Sequence, residues 1–111
     1  MMWRFVVAFV IGTLLASVAA GCAHAGRNPE DADVGNVQLG RALFETNCST
    51  CHGATGVQGG VGPSLRGESR RKDLNATIAW IHHPQPPMPQ LYPSPLTSAE
   101  VVDIASYVES L

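Results

Sequence analysis

Charge, aromatic bulk and cysteine are all scarce in this chain, and each scarcity removes a class of function. Charged residues make up 14% of the 111 residues and sum to −2 at pH 7, so the basic surface that a nucleic-acid partner requires is missing. Lysine occurs only at Lys72, outside the glycine-rich stretch from Gly53 to Gly67. A phosphate-cradling loop needs G-x-x-x-x-G-K-[ST] after a strand, so nucleotide binding is rejected. The residues around the paired cysteines carry no alternating, β-branched runs, which argues against a thioredoxin-like C-x-x-C in a βαβ unit. Beyond the N-terminal apolar run the aromatics reduce to Phe44, Trp80, Tyr92 and Tyr107, little bulk for a domain whose size makes a lone hydrophobic core marginal.

What is present is concentrated in Cys48-Ser49-Thr50-Cys51-His52. C-x-x-C-H is the attachment signature of covalently bound c-type haem. Cysteines at i and i+3 and a histidine at i+4 share one face of a helical turn, so two thiols and one imidazole converge on one edge of a planar ligand. The thiols would add across its two vinyl groups, and His52 would be the proximal iron ligand. A structural zinc site needs four closed ligands, and the remaining candidates, His82 and His83, are adjacent and would have to point the same way. A plain disulfide or a chance match is the remaining alternative.

The N-terminus supports the haem reading. Arg4 precedes an apolar run from Phe5 to Ala20, the charged and hydrophobic regions of an export signal, which places the mature protein in the periplasm or otherwise outside the cytoplasm. Ala19-Ala20-Gly21-Cys22 resembles a bacterial lipobox, with Ala19 where that motif prefers leucine, and implies lipidation of Cys22 and a membrane tether. Ala23-His24-Ala25 is the alternative, an A-x-A site whose cleavage would release a soluble protein. The Gly21-Cys22 pair abutting the apolar run favours the lipoprotein. Residues 1–22 are thus expected to be the signal, residues 23–36 a flexible tether reaching roughly 20 Å, and residues 37–111 the folded domain.

Within that domain, periodicity predicts a first helix from Gln38 to His52, with Leu39, Leu43 and Thr46 on one stripe and Gly40 and Phe44 on the next, ended by Gly53. Gly40 inside a helix suggests close approach by another helix, or a frayed start. The glycines of 53–67 would let the backbone pass close to a flat ligand. Asp73 caps a helix through His83, with Leu74, Ile78 and Ile81 on its buried face and Pro84 as its stop. Trp80 lies off that stripe and suits packing in the core or at a haem edge. Six prolines between 84 and 95 hold an extended, rigid loop. Thr97 and Glu100 form a capping box for a last helix with Val101, Ile104, Ala105, Val108 and Leu111 as its apolar stripe and Asp103 and Glu109 facing water.

Met88 sits inside the proline-rich loop and is the only methionine apart from Met1 and Met2. A thioether is a soft iron ligand, and a His/Met pair raises the haem potential relative to His/His. Fixed by prolines on both sides, Met88 is the expected second axial ligand; His82 or His83 would be its competitor.

Gly40 and Phe44, Cys48 to Gly53, Gly62-Pro63-Ser64-Leu65-Arg66-Gly67, Met88-Pro89, Leu96-Thr97, Ile104 and Tyr107 occur in an order that resembles a small class I cytochrome c across residues 37–111. The resemblance implies an all-α fold of about three to four helices wrapped around one covalently attached haem c. It implies that the N- and C-terminal helices cross, with Gly40 and Phe44 against Tyr107. It also implies that the Pro63 carbonyl accepts a hydrogen bond from His52 Nδ1, and that Arg66 approaches a haem propionate. The function expected is one-electron transfer without substrate turnover. Redox partner proteins would dock transiently, burying no more than roughly 1,200 Å², with Arg66, Arg70, Arg71 and Lys72 available to steer an acidic partner. A haem enzyme or a gas or peroxide sensor would instead leave the sixth position open, and a fixed subunit of a larger oxidoreductase would use the same chemistry with a permanent partner.

Overall fold

The computed structural model describes residues 34–111; the expected export signal, Cys22 and residues 23–33 of the expected tether lie outside the described residues. Four α-helices follow one another, α1 (Val37–Asn47), α2 (Ser49–His52), α3 (Leu74–His82) and α4 (Ser98–Glu109), with a 3₁₀ turn at Glu68–Arg70 and no strand among the described residues. The all-α class follows directly.

Helix α1 starts where the Asn36 side chain accepts from the Leu39 amide at 3.0 Å. It does not run unbroken to His52 as its periodicity predicts. Thr46, Asn47 and Ser49 each donate a side-chain hydrogen bond to the carbonyl four residues back, on Ala42, Leu43 and Glu45. Such back-bonding competes with the regular ladder and bends helices. The chain breaks at Cys48 (φ −121°) and resumes as the single turn α2. Gly53, at φ +87°, then ends α2, a conformation that L side chains rarely adopt.

The buried side of α1 is the Gly40 and Phe44 stripe, while Leu39 is 53% exposed. A Cβ on Gly40 would strike the Asp103 carbonyl and the Cβ of Tyr107, so the backbones of α1 and α4 meet there. Phe44 and Tyr107 pack ring against ring at 5.3 Å, the crossing that the resemblance implies. Helix α4 carries the expected capping box at Thr97 and Glu100 and buries Val101, Ile104, Ala105 and Val108. Asp103 departs from expectation: instead of facing water it is 2% exposed, and its Oδ1 accepts from the Asn36 amide at 2.7 Å. The crossing at Gly40 covers that face of α4, and the carboxylate serves the entry to α1. Glu109 is half-buried and accepts from Thr77 Oγ1 at 2.8 Å, a polar tie between α3 and α4.

Glu68, in the 3₁₀ turn, is 6% exposed. It accepts from Lys72 Nζ at 2.7 Å and from Arg71, through Nε at 3.0 Å and through Nη2. Burial opposes ionisation of this carboxyl, but the hydrogen bonds from Lys72 and Arg71 outweigh it and hold Glu68 below its ordinary value of 4.5. Between the lowered folded value and the ordinary unfolded one, the unfolded chain binds the extra proton. The stabilisation is therefore complete above about pH 4.5 and is lost as pH falls through the folded value.

Two stability measurements follow. Alanine in place of an exposed helical glycine gains roughly 1 kcal/mol, yet Gly40→Ala is expected to destabilise the matured chain by about 1–3 kcal/mol through overpacking; a raised urea midpoint would rule out the tight crossing. Glu68→Gln is expected to lose about 1–3 kcal/mol at neutral pH and to flatten the acid limb of stability against pH. Acid limbs of equal slope in variant and parent would refute the ion-pair account.

Candidate functional site

Between the helices lies a cavity of about 660 Å³, inside the roughly 300–1,000 Å³ range of cofactor sites. Cys48, Cys51 and His52 line one side of it and Met88 lines it from the proline-rich loop. Phe44, Ile104 and Val108 add apolar surface from the α1–α4 core, and Trp80 and Ile81 add it from α3.

His52 is the most constrained of these side chains. It is buried, and Nδ1 lies 2.8 Å from the Pro63 carbonyl. A carbonyl only accepts, so Nδ1 carries the proton and donates, leaving the Nε2 lone pair for a metal. A donated hydrogen bond of this kind fixes ring orientation and strengthens the imidazole as a ligand. The glycine-rich stretch makes the contact possible. Gly59 donates to the His52 carbonyl at 3.0 Å and Gly62 to the Cys51 carbonyl at 2.8 Å. A Cβ on Gly62 would stand 2.7 Å from His52 Cε1 and 2.9 Å from Nδ1. The glycines expected to let the backbone pass close to a flat ligand thus bring it close to the Cys51–His52 turn and the imidazole.

Cys48 and Cys51 are free thiols, each half-buried. Burial first, and the neighbouring Cys51 second, push the Cys48 thiol up to about 11. A thiol held protonated in this way is a poor nucleophile, and thioether formation would abolish the titration. Among the described residues no three His, Cys, Asp or Glu side chains converge to hold a metal ion, which leaves the zinc alternative without a ligand set.

Trp80 lines the cavity while 43% exposed, with Lys72 Nζ 5.2 Å from its ring centroid. Arg66 is exposed and is not among the lining residues; the cations that reach the cavity are Arg71 and Lys72, both paired with Glu68. His82 and His83 do not line it either. The His82 ring stacks on Tyr92 at 4.0 Å, and His83 is exposed. Two participants escaped the sequence reading. Gly62 was named in the motif but not as the backbone that abuts the His52 ring, and Glu68 was passed over although Arg71 and Lys72 follow it at the i+3 and i+4 spacing of helical ion pairs.

The residues present fit a covalently held haem: two thiols and an Nδ1-protonated imidazole on one wall, a thioether on the loop wall, and apolar surface between. Residues 35–108 match the family described as cytochrome c oxidase, cbb3-type, subunit III. A relative described as cytochrome c-553-like, from Synechocystis sp., is 40% identical over 78 residues, covering 69% of this chain and 70% of its own length. No solved structure matches. With this motif, this cavity and these matches, the chain belongs to that cytochrome c family and is a small monohaem electron carrier, not an enzyme, with its haem c bound covalently.

Proposed function

We propose that this cytochrome is an extracytoplasmic one-electron carrier in which Cys48 and Cys51 hold the haem as thioethers and His52 and Met88 are its axial ligands. The observation that carries the reading is the meeting of His52 and Met88 on the wall of one cavity, with the His52 tautomer set by Pro63. When bound, the haem supplies a one-electron iron couple. The protein's part is to stay still. His52 is locked between the Pro63 carbonyl and the Gly62 backbone, and no proton need move there because the Nδ1 hydrogen is already committed. The loop carrying Met88 is stiffened by the prolines on either side of it. Phe44, Ile81 and Ile104, all buried, exclude water from the inner wall, and a dry wall around a soft thioether favours the reduced, less charged site.

At the mouth, Val61 is 79% exposed although it lines the cavity. Together with Trp80 it offers redox partners a small apolar contact, suited to weak docking below about 1,200 Å². We place the protein at the periplasmic face of a membrane, tethered by lipid on Cys22 and a linker up to residue 36. Among the described residues no helix is long and apolar enough to cross a membrane. The family description names an oxidase subunit, and this supports a second reading in which the chain is held permanently in a larger oxidoreductase; a stable complex on purification would favour it over a mobile carrier.

The ferric holoprotein should show the weak far-red charge-transfer band of a sulfur–iron bond. Met88→Ala should abolish that band and admit carbon monoxide to the reduced form, and Met88→His should keep six-coordination while lowering the midpoint potential. A wild type that lacks the band and binds carbon monoxide unaided would overturn His/Met ligation.

A further inference from the structure

The wall bearing Met88 has no helix of its own. Between α3 and α4 the chain carries Pro84, Pro86, Pro87, Pro89, Pro93 and Pro95, each without an amide donor. The Met88 amide donates to the Gln85 carbonyl at 3.1 Å and the Leu96 amide to the Leu91 carbonyl at 2.9 Å, and side chains must supply further ties. Gln90 supplies one. Its Nε2 donates both to the His82 carbonyl and to the Tyr92 carbonyl, each at 2.7 Å, joining the last residue of α3 to the far limb of the loop. The His82 ring stacks on Tyr92 at 4.0 Å, and Ser98, first residue of α4, donates from Oγ to the Tyr92 hydroxyl at 3.3 Å. The His82 Nε2 is buried without a hydrogen-bond partner, so the imidazole contributes here as a flat face. Gln90 thus ties α3 to the far limb of the loop, and Tyr92 carries the tie on to α4.

Met88 is coupled tightly to that closure. Pro89, between Met88 and Gln90, has a fixed φ, and the residue before a proline is confined to extended conformations. Met88-Pro89-Gln90 is therefore a short stiff arm, held on one side by the Met88 amide on the Gln85 carbonyl and on the other by Gln90, so where Gln90 is pinned constrains where Met88 stands. We propose that Gln90 is a positioning residue for the axial thioether: its two hydrogen bonds keep Met88 at the iron and so keep outside ligands off it. This rests on the reading that Met88 is the sixth ligand.

Gln90→Glu tests the idea on the haem-loaded full chain. The substitution keeps the side-chain shape but removes both donors and sets a negative charge against two carbonyl oxygens. Gln90 is exposed, and Gln90→Leu, which removes the donors without adding charge, provides the second variant. In both, the far-red band should weaken, and the affinity of the ferric protein for added imidazole should rise on the order of tenfold, as expected from losing two hydrogen bonds that hold the closed state. Protonating the introduced carboxyl in Gln90→Glu should restore part of the band, which a general loss of stability would not do. Met88→Ala marks the fully open limit. If wild type shows the band and either variant keeps both the band and the parental imidazole affinity, the positioning role is refuted; if wild type lacks the band, the ligand assignment beneath it fails instead.

Discussion

The close crossing of α1 on α4 at Gly40 is the contact from which the rest of the molecule is organised. Only a residue without a Cβ lets the two backbones meet there, and their meeting brings Phe44 onto Tyr107. The Tyr107 hydroxyl in turn donates to the Thr55 carbonyl at 2.9 Å, anchoring the chain just beyond the Cys48–His52 turn. From Thr55 the glycine-rich stretch bends back over Cys51 and His52 and delivers the Pro63 carbonyl to the imidazole. The orientation of one histidine thus traces through an aromatic pair to a helix crossing one turn upstream of Phe44. The Asn36 amide on Asp103 reinforces the same crossing from its outer end.

Charge is arranged with similar economy. Arg71 and Lys72 reach the cavity, where unneutralised cations would oppose the oxidised state of a bound iron, yet both are paired with a buried carboxylate. Glu68 cancels much of their field at close range, whereas Arg66 and Arg70 are exposed and lie off the cavity. The basic cluster that the sequence displays as Arg66, Arg70, Arg71 and Lys72 is therefore divided: two cations at the cavity rim paired with Glu68, two exposed away from it. At physiological ionic strength fields of exposed charges fade within about 8 Å, which suits a brief encounter better than a permanent grip.

Much of this was legible before any coordinates. The haem motif is a local spacing, the capping box of α4 is a four-residue signature, and the proline content of 84–95 excludes a helix without further information. What escaped was whatever depends on a partner distant in sequence. Asp103 is placed on the wet side of α4 by periodicity alone, whereas in the fold its buried carboxylate accepts from the Asn36 amide, 67 residues away. Leu39 follows the helical stripe yet is exposed, because Gly40 rather than leucine marks the face that α4 covers. The break at Cys48 was hidden for a different reason: Thr46, Asn47 and Ser49 are unexceptional one at a time, and only their joint back-bonding bends the helix. Arg66 matches a motif position but is not brought to the cavity, whereas Arg71 and Lys72 are carried there by a turn that composition does not announce.

The two walls of the cavity are stabilised by different physics, and the difference follows from what each must hold. The His52 wall is continuous with the core, so its geometry is defended by buried apolar packing that no single substitution at the surface can reach. The Met88 wall is a segment that cannot form a ladder of backbone hydrogen bonds, because its prolines lack the donors. Its order comes from restricted dihedral angles, two backbone hydrogen bonds within the loop, a ring stack, a few side-chain hydrogen bonds at its base, and the packing of Met88, Leu91 and Tyr92 against the core. Restricting dihedrals limits the unfolded chain as well as the folded one, so such a loop loses less entropy on ordering, and Leu96 at its end anchors it in the core. Its side-chain ties at Gln90 are few and exposed, the character of segments that open locally at low free energy. A thioether, the ligand proposed for this wall, is weak enough to need that order, and its loss from here would be a local event that leaves the wall of Cys48, Cys51 and His52 intact.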